Sequence, residues 1–249
     1  MRKLHLDIET SPNTAHVWGL FKQTVSINQL MESSYVLCWA AKWDGERKVH
    51  FSRNNDKEML TKLWDLLDEA DVVVHYNGRR FDIPTVNKEF ALAGLMPPAP
   101  YKQIDLLQVV RHKFKFPSNK LDYVAQAFNL GKKHPHEGHS LWVKCMNEDK
   151  AAWKRMETYN KQDVQLLEKL YARILPWIDR HPNTGVYINP TKPVCTNCGS
   201  THIVKKGTAV TNTQMYQRYR CNKCGTALRS RFTETPKEIR KNILTQEVL

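Results

Sequence analysis

From Met1 to Glu9 the chain alternates, with Leu4, Leu6 and Ile8 at every second position. A strand sends alternate side chains to opposite faces. Asp7 and Glu9 therefore share the face opposite the aliphatic one, close enough to bind one cation. Thr10-Ser11-Pro12-Asn13 follows with turn-forming residues. Two carboxylates at a strand end are costly to hold together unless a cation neutralises them. A second Asp-x-Glu, Asp56-Lys57-Glu58, serves as a control. It precedes Met59, Leu60, Leu63, Trp64, Leu66 and Leu67 at helical spacing, and reads as the acidic first turn of a helix.

Two further segments carry acidic side chains. Val72-Val73-Val74 suits a buried strand. Tyr76-Asn77-Gly78 turns out of it, and Asp82-Ile83-Pro84 opens a helix with Val86, Phe90 and Leu92 on its apolar side. Asp82 reads equally well as a helix cap, and Asn77 as a turn residue. Farther on, Tyr159 and Asp163 stand four apart on a helix expected to run to about Ile178. Its apolar stripe is Val164, Leu166, Leu167, Leu170, Ile174 and Leu175. Residues four apart face the same way, so one helix face offers a phenol and a carboxylate together. Tyr101-x3-Asp105 copies the spacing but follows Pro97-Pro98-Ala99-Pro100 and looks extended. Asp105 is kept as a substitute for a site aspartate, against the reading that it is a structural carboxylate beside the site.

Asp7-x-Glu9, Asn77-x4-Asp82 and Tyr159-x3-Asp163, in this order and context, resemble the DEDD superfamily of 3′→5′ exonucleases on an RNase H-like fold. The tyrosine matches the DEDDy branch, which includes proofreading domains of DNA polymerases. The stretch from Ser118-Asn119-Lys120-Leu121 through Gly131-Lys132-Lys133 to Trp177 looks like stand-alone bacterial and phage members. The resemblance covers about residues 1–180 and implies two Mg²⁺ or Mn²⁺ ions, which suit hard carboxylate oxygens. It assigns Asp7, Glu9 and Asp163 to the ion that activates water. Asp7 would bridge to the second ion with support from Asp82, and Tyr159 would orient the water. An ordinary phenol titrates near pH 10, which argues against Tyr159 as the main base.

The net charge of +13 fits a polyanionic partner, and a hydrophobic share of 41% allows a real core. The charge is uneven: the net is +8 from Thr184 onward and +5 before it. That asymmetry favours nucleic acid over a small acidic substrate. No run approaches a membrane span and no secretory signal opens the chain, so a cytoplasmic protein of a bacterium or a phage-infected cell is expected.

Strands are expected at 3–9, 15–20, 35–43, 47–52 and 71–76, and helices at 56–69, 83–93, 121–128, 148–158 and 160–178. This is an α/β pattern with helices on a mixed sheet. The RNase H-like order, three antiparallel strands leading into two parallel ones, is implied by the resemblance. His134-Pro135-His136-Glu137-Gly138-His139 reads as an exposed loop near the site, with Lys132 and Lys133 suited to a phosphate. His75 reads as a buried strand residue, and Cys38 and Cys145 as ordinary thiols.

Beyond residue 181 the chain reads as a linker at 182–193, interrupted by Pro182, Gly185, Pro190 and Pro193. Then come Cys195-x2-Cys198-Gly199 and Cys221-x2-Cys224-Gly225. Two Cys-x-x-Cys pairs at this spacing fit one structural, tetrahedral zinc ion. The glycine after each pair frees the backbone for a tight turn. Two disulfides are the alternative, which an intracellular compartment disfavours. The segment 194–235 resembles a zinc ribbon, and Gln217-Arg218-Tyr219-Arg220-Cys221 is similar to certain transposase-associated ribbons. Tyr216, Arg218 and Arg220 on one strand face, and Arg229 and Arg231 on the next, suit phosphate contact and base stacking. Residues 236–249 can form an amphipathic helix through Ile239, Ile243 and Leu244.

The expectation is a two-metal 3′→5′ exonuclease acting on single-stranded 3′ ends, DNA favoured over RNA, with Thr10 and Asn77 also near the nucleic acid. A replication or repair protein would be a fitting partner. A structure-selective RNase H-like endonuclease and an inactive nucleic-acid-binding protein are the competing readings.

Overall fold

In the computed structural model, which describes residues 1–133 and 137–247, the alternating first segment is the central strand of the larger sheet. The elements of this part run β1 (Lys3–Thr10), β2 (Thr14–Ala15), β3 (Leu30–Glu32), β4 (Val36–Trp43), β5 (His50–Arg53), α1 (Met59–Asp68), β6 (Val72–His75), α2 (Asp82–Leu92). They continue with β7 (Lys102–Asp105), α3 (Leu106–Lys113), α4 (Leu121–Ala127), α5 (His139–Met146) and α6 (Lys150–Ile174). The sheet order is β5-β4-β1-β6-β7. β4 runs antiparallel to β1 and to β5, while β6 is parallel to β1 and β7 to β6. This mixed sheet flanked by helices is RNase H-like. The chain divides into two compact units, one spanning Arg2–Tyr171 and one that includes Ala172–Leu249.

The two faces of β1 do different work. Leu4, Leu6 and Ile8 pack into a buried cluster with Leu63 and Leu67 of α1 and Val86 and Phe90 of α2. Each such side chain contributes about 1.5–3 kcal/mol on leaving water. The other face of the sheet is covered by α5 and α6, through a cluster that joins Leu37 and Cys38 to Leu141, Cys145, Met156 and Tyr159. Asp7 and Glu9 look toward this side.

Several elements differ from the sequence expectation. Of the expected strand 15–20 only Ala15 pairs, beside Thr14 and with β3; Trp18, Leu20 and Phe21 are 99%, 87% and 85% exposed, and Leu92 at the end of α2 is exposed instead of lying on its apolar side. The fifth strand of the main sheet is β7 instead, aligned on β6 from Val72↔Lys102 to His75↔Asp105. The strand expected from 47 begins at His50, after a turn in which Gly45 takes φ +81°. Helix α1 begins at Met59, not at 56. The Asp56 carboxylate accepts the Glu58 N–H at 3.0 Å and the Ser52 hydroxyl at 2.7 Å, which holds 56–58 as a turn before the helix. Helices α3 and α5 were not anticipated.

The two helices expected at 148–158 and 160–178 are one. Asp149 caps it by accepting the Ala152 N–H at 2.8 Å. No Gly or Pro interrupts it before Pro176, whose ring disfavours α geometry at the preceding residue; the chain tightens to a 3₁₀ turn at Leu175–Trp177.

The smaller unit contains α7 (Gly185–Ile188), β8 (Ile203–Val210), β9 (Met215–Cys221), β10 (Ala227–Arg229) and α8 (Lys237–Arg240). Its sheet is antiparallel in the order β10-β9-β8. Residues 182–193 do more than connect: α7 lies within them, and Thr184 donates its N–H to Thr196 O at 2.7 Å and its hydroxyl to Asn197 O at 3.0 Å. In the terminal segment α8 covers only four residues. Among the described residues, no helix is long and apolar enough to cross a membrane.

Candidate active site and cysteine cluster

β1 and α6 bring the first and third acidic segments together. Carboxylate oxygens of Asp7, Glu9 and Asp163 lie within 4.8 Å of one another. Asp163 is buried, and α6 places Tyr159 one turn before it. Burial and the charges of Asp163, Glu9 and Asp82 push the Asp7 carboxyl well above the usual range. Burial does the same to Glu9, up to about 8, despite the opposing pull of Lys133.

The second segment does not follow the helix-cap reading of Asp82. Helix α2 starts at Asp82 itself and its side chain does not cap it. The carboxylate turns toward β1 and accepts the Ile8 N–H at 3.2 Å. Asp82 thus adjoins the Asp7–Glu9–Asp163 triplet without belonging to it, and burial pushes it up to about 7. The turn that delivers it is tightly made. Asn77 takes φ +72° and donates its N–H to Asp105 at 2.9 Å. A side chain on Gly78 would meet the His75 ring at 2.4 Å, so this position needs glycine. Asp105 also accepts the Leu107 N–H at 3.1 Å, capping α3. It is a structural carboxylate, and His75 is fully buried beside it.

Two residues without an assigned role in the sequence reading, Asn160 and Trp142, support the triplet, and a third, Gln162, ties α6 to the segment that carries Lys133. Asn160, fully buried on α6, donates to Asp7 Oδ2 at 2.7 Å. Trp142 of α5 hydrogen-bonds Glu9 and sets its ring edge-on to Tyr159, 6.1 Å between centroids. Gln162 donates to Lys132 O at 2.8 Å. A signal for Asn160 exists in the sequence: Met156, Asn160, Asp163 and Leu167 fall on one helical stripe, and two polar residues interrupt it.

Lys133 sits among the carboxylates. Its ammonium forms an ion pair with Asp163 and donates to the Tyr159 hydroxyl at 3.1 Å. Burial alone would weaken that charge, yet Asp163 and Asp7 hold the ammonium above its usual pKa. Burial and the charges of Asp163 and Glu9 push the Tyr159 phenol up, so it stays protonated. A cavity of about 560 Å³ opens from Asp7 past Asn77 and Lys133 toward Arg111 and Lys120. Lys132 lines a different groove, and Thr10 ends β1 without lining either. His134, Pro135 and His136 lie outside the described residues, while His139 opens α5 and is not part of a loop.

A divalent cation fits this donor set. Three carboxylates converge, and two of them are raised by burial and by one another's charge; Lys133 supplies one positive charge among four acids. A second group, His5, Asp44 and Glu168, is balanced already: Lys3 pairs with Asp44, and Lys42 with Glu168 at 2.5 Å. One consequence is measurable. A carboxyl raised in the folded state keeps its proton where the unfolded chain has lost it, so stability falls as pH climbs from about 4.5 to 8. Without added Mg²⁺ or Mn²⁺, the larger unit should melt lower at pH 8.5 than at pH 6. Added Mn²⁺ should raise the melting temperature more at pH 8.5, and an equal rise at both would contradict this.

The four late cysteines form a second cluster, with all Sγ atoms within 4.8 Å. Cys195 and Cys224 lie 3.5 Å apart, Cys198 and Cys221 3.6 Å, and none of the four is in a disulfide. A tetrahedral Zn–S₄ centre with bonds of about 2.3 Å has S···S edges of about 3.8 Å, so the spacing fits zinc. Gly199 and Gly225 take φ +71° and +82°, and each N–H returns to the first cysteine's carbonyl at 2.9 Å. Burial alone would raise Cys221, but the N–H groups of Cys224 and Lys223 donate to its sulfur and bring it down to about 7. On β9, Tyr216, Arg218 and Arg220 alternate, and the Arg229 guanidinium lies 4.1 Å over the Tyr216 ring. Arg231 lies beyond the end of β10, exposed.

A family model of the RNase_H superfamily matches residues 4–175, and the chain belongs to that superfamily. This membership supports a nuclease-type function that uses divalent metal ions. Among solved structures the chain is similar to the family B DNA polymerase from the hyperthermophilic archaeon Pyrobaculum calidifontis. The TM-score is 0.55 at 20% identity, over 70% of this chain and 24% of the polymerase chain. The likeness is one of fold, and the chain spans about a quarter of that polymerase's length. No curated protein matches the sequence.

Proposed function

We propose that the chain is a metal-dependent 3′→5′ exonuclease acting on single-stranded ends of nucleic acid, with DNA favoured and RNA the alternative. The observation that carries this is the convergence of Asp7, Glu9 and Asp163 within 4.8 Å, one helical turn from Tyr159. Asp7, Glu9, Asp163 and the adjacent Asp82 are the residues that would hold two Mg²⁺ or Mn²⁺ ions. Such ions, when bound, supply a hydroxide near neutral pH and stabilise the leaving oxygen. The protein's own groups do the rest. Asn160 fixes Asp7, Trp142 fixes Glu9, and the Ile8 N–H fixes Asp82. The protonated Tyr159 hydroxyl orients the attacking water, and Lys133 is placed to meet a phosphate oxygen. The cavity between Asp7 and Arg111 would receive the terminal nucleotide. The cysteine cluster would hold one Zn²⁺ in a ribbon spanning about residues 194–235, with Arg218, Arg220, Arg229 and Arg231 gripping phosphates.

Tyr159→Phe keeps the ring packed and removes only the hydroxyl. Turnover should fall about a hundredfold, the scale for losing one transition-state hydrogen bond. Affinity for a single-stranded oligonucleotide should stay within about twofold. A Phe variant at the wild-type rate would remove Tyr159 from the mechanism. A covalently closed single-stranded circle tests the need for an end: the linear strand should be digested and the circle left intact. Cuts in the circle would instead favour an endonuclease.

A further inference from the structure

Outside the carboxylate site, α6 carries a strip of basic side chains that the chemistry above does not use. Lys154, Lys161 and Lys169 recur along it, and with Lys132 from the preceding loop they line a groove of about 640 Å³. Thr158, Gln162 and Gln165 interleave as hydrogen-bonding groups, and Glu157 is the one acid in the lining. At its far end the groove meets a second hollow of about 450 Å³, which shares Lys154 and Glu157 and adds Lys150 and Arg53. Arg53 lies 4.7 Å over the Trp153 ring, which fixes its position.

Two features distinguish this strip from an ordinary solvated helix face. First, it is concave and net positive, four lysines against Glu157, which pairs with Lys161 at 2.5 Å, and a positive cleft concentrates the field on a polyanion. Second, it abuts the carboxylate site through neighbouring residues on both walls. Gln162 holds Lys132 on the groove side, while the next residues, Asp163 and Lys133, form an ion pair inside the site. The site and the groove thus lie on either side of the Lys132–Lys133 segment, and a strand whose end lies at Asp163 reaches the groove by crossing it. From Asp163 back to Lys150 the helix rises about 20 Å at 1.5 Å per residue, the length of about six nucleotides stacked at 3.4 Å.

We propose that this α6 groove is a track for the sugar–phosphate backbone of the strand whose end occupies the carboxylate site. The inference deepens the nuclease reading and names a binding surface that reading does not contain. Recognition is through phosphates, so it is independent of base sequence.

The test measures binding without cleavage, so it stands even if the catalytic reading fails. The full chain binds a fluorescent 20-nucleotide single strand in buffer without Mg²⁺ or Mn²⁺, followed by anisotropy across a salt series. Lys150→Ala/Lys154→Ala is compared with Lys48→Ala/Lys102→Ala, which removes the same charge from exposed positions elsewhere. The groove pair should weaken binding about tenfold or more. It should also lower the slope of log K against log salt by about 1.4, at about 0.7 per lost phosphate contact on a single strand. The control pair should change affinity less than twofold and leave the slope unchanged. Equal losses in both pairs would show a net-charge effect and overturn the track. Wild-type affinity and slope in the groove pair would overturn it too, as would a wild type that binds no single strand.

Discussion

Asp163→Ala and Asp7→Ala should each abolish metal-dependent cleavage while leaving the larger unit folded. The two carboxylates come from opposite sides of the site, one from β1 and one from α6, and no single element could replace either. Metal assistance is worth several kcal/mol of transition-state stabilisation. At about 1.4 kcal/mol per tenfold, losing it lowers the rate by about a thousandfold or more. Stability should not suffer. Asp7 is held above its usual pKa by burial and by Asp163, Glu9 and Asp82, so removing either acid relieves repulsion in the metal-free protein. The variants should therefore melt at or above the wild-type temperature without added Mg²⁺ or Mn²⁺, and gain less from added Mn²⁺. Either variant cleaving at the wild-type rate would remove that residue from the mechanism.

The second large effect concerns the cysteine cluster. No residue of β8 is buried, and in β9 only Cys221 is. Cys195, Asn197, Cys221 and Thr226 are the fully buried residues of this ribbon, too few to offset the entropy of ordering some forty residues. Zinc-finger peptides draw about 10–16 kcal/mol from their metal. Chelation, or Cys198→Ser, should therefore unfold the ribbon. Hydrogen exchange would show β8, β9 and β10 losing protection while β1 and β4 keep theirs. Retained protection across Ile203–Cys221 after zinc is removed would contradict a metal-held fold.

What the sequence made legible follows from how local each signal is. Strand β1 could be read because its alternation is complete within eight residues. The cysteine cluster could be read because its spacing and two glycines encode it without tertiary help. Strand β7 could not: in Lys102-Gln103-Ile104-Asp105 the one aliphatic residue is Ile104, and its pairing with β6 makes it a strand. Asp82 was ambiguous for the same reason. A carboxylate at a helix start can cap the helix or turn away, and the Ile8 N–H, 74 positions earlier in the chain, decides the matter. Asp105 shows the converse, since its spacing from Tyr101 copies a site motif while its oxygen is taken by the Asn77 and Leu107 N–H groups. The division of α6 was an error of a different kind. No helix-breaking residue separates 148–158 from 160–178, and Tyr159 and Asn160 face the site within one continuous helix.

The most direct measurement of the central claim is digestion of single-stranded DNA and RNA, labelled at either the 3′ or the 5′ end, in Mg²⁺, Mn²⁺ or EDTA. Zinc restored alone after EDTA separates loss of the ribbon from loss of catalysis. The account predicts that 3′ label leaves at once as mononucleotide, while 5′-labelled strands shorten stepwise. Both should require Mg²⁺ or Mn²⁺. Early release of 5′ label, or cleavage that persists in EDTA or in Asp7→Ala, would contradict it.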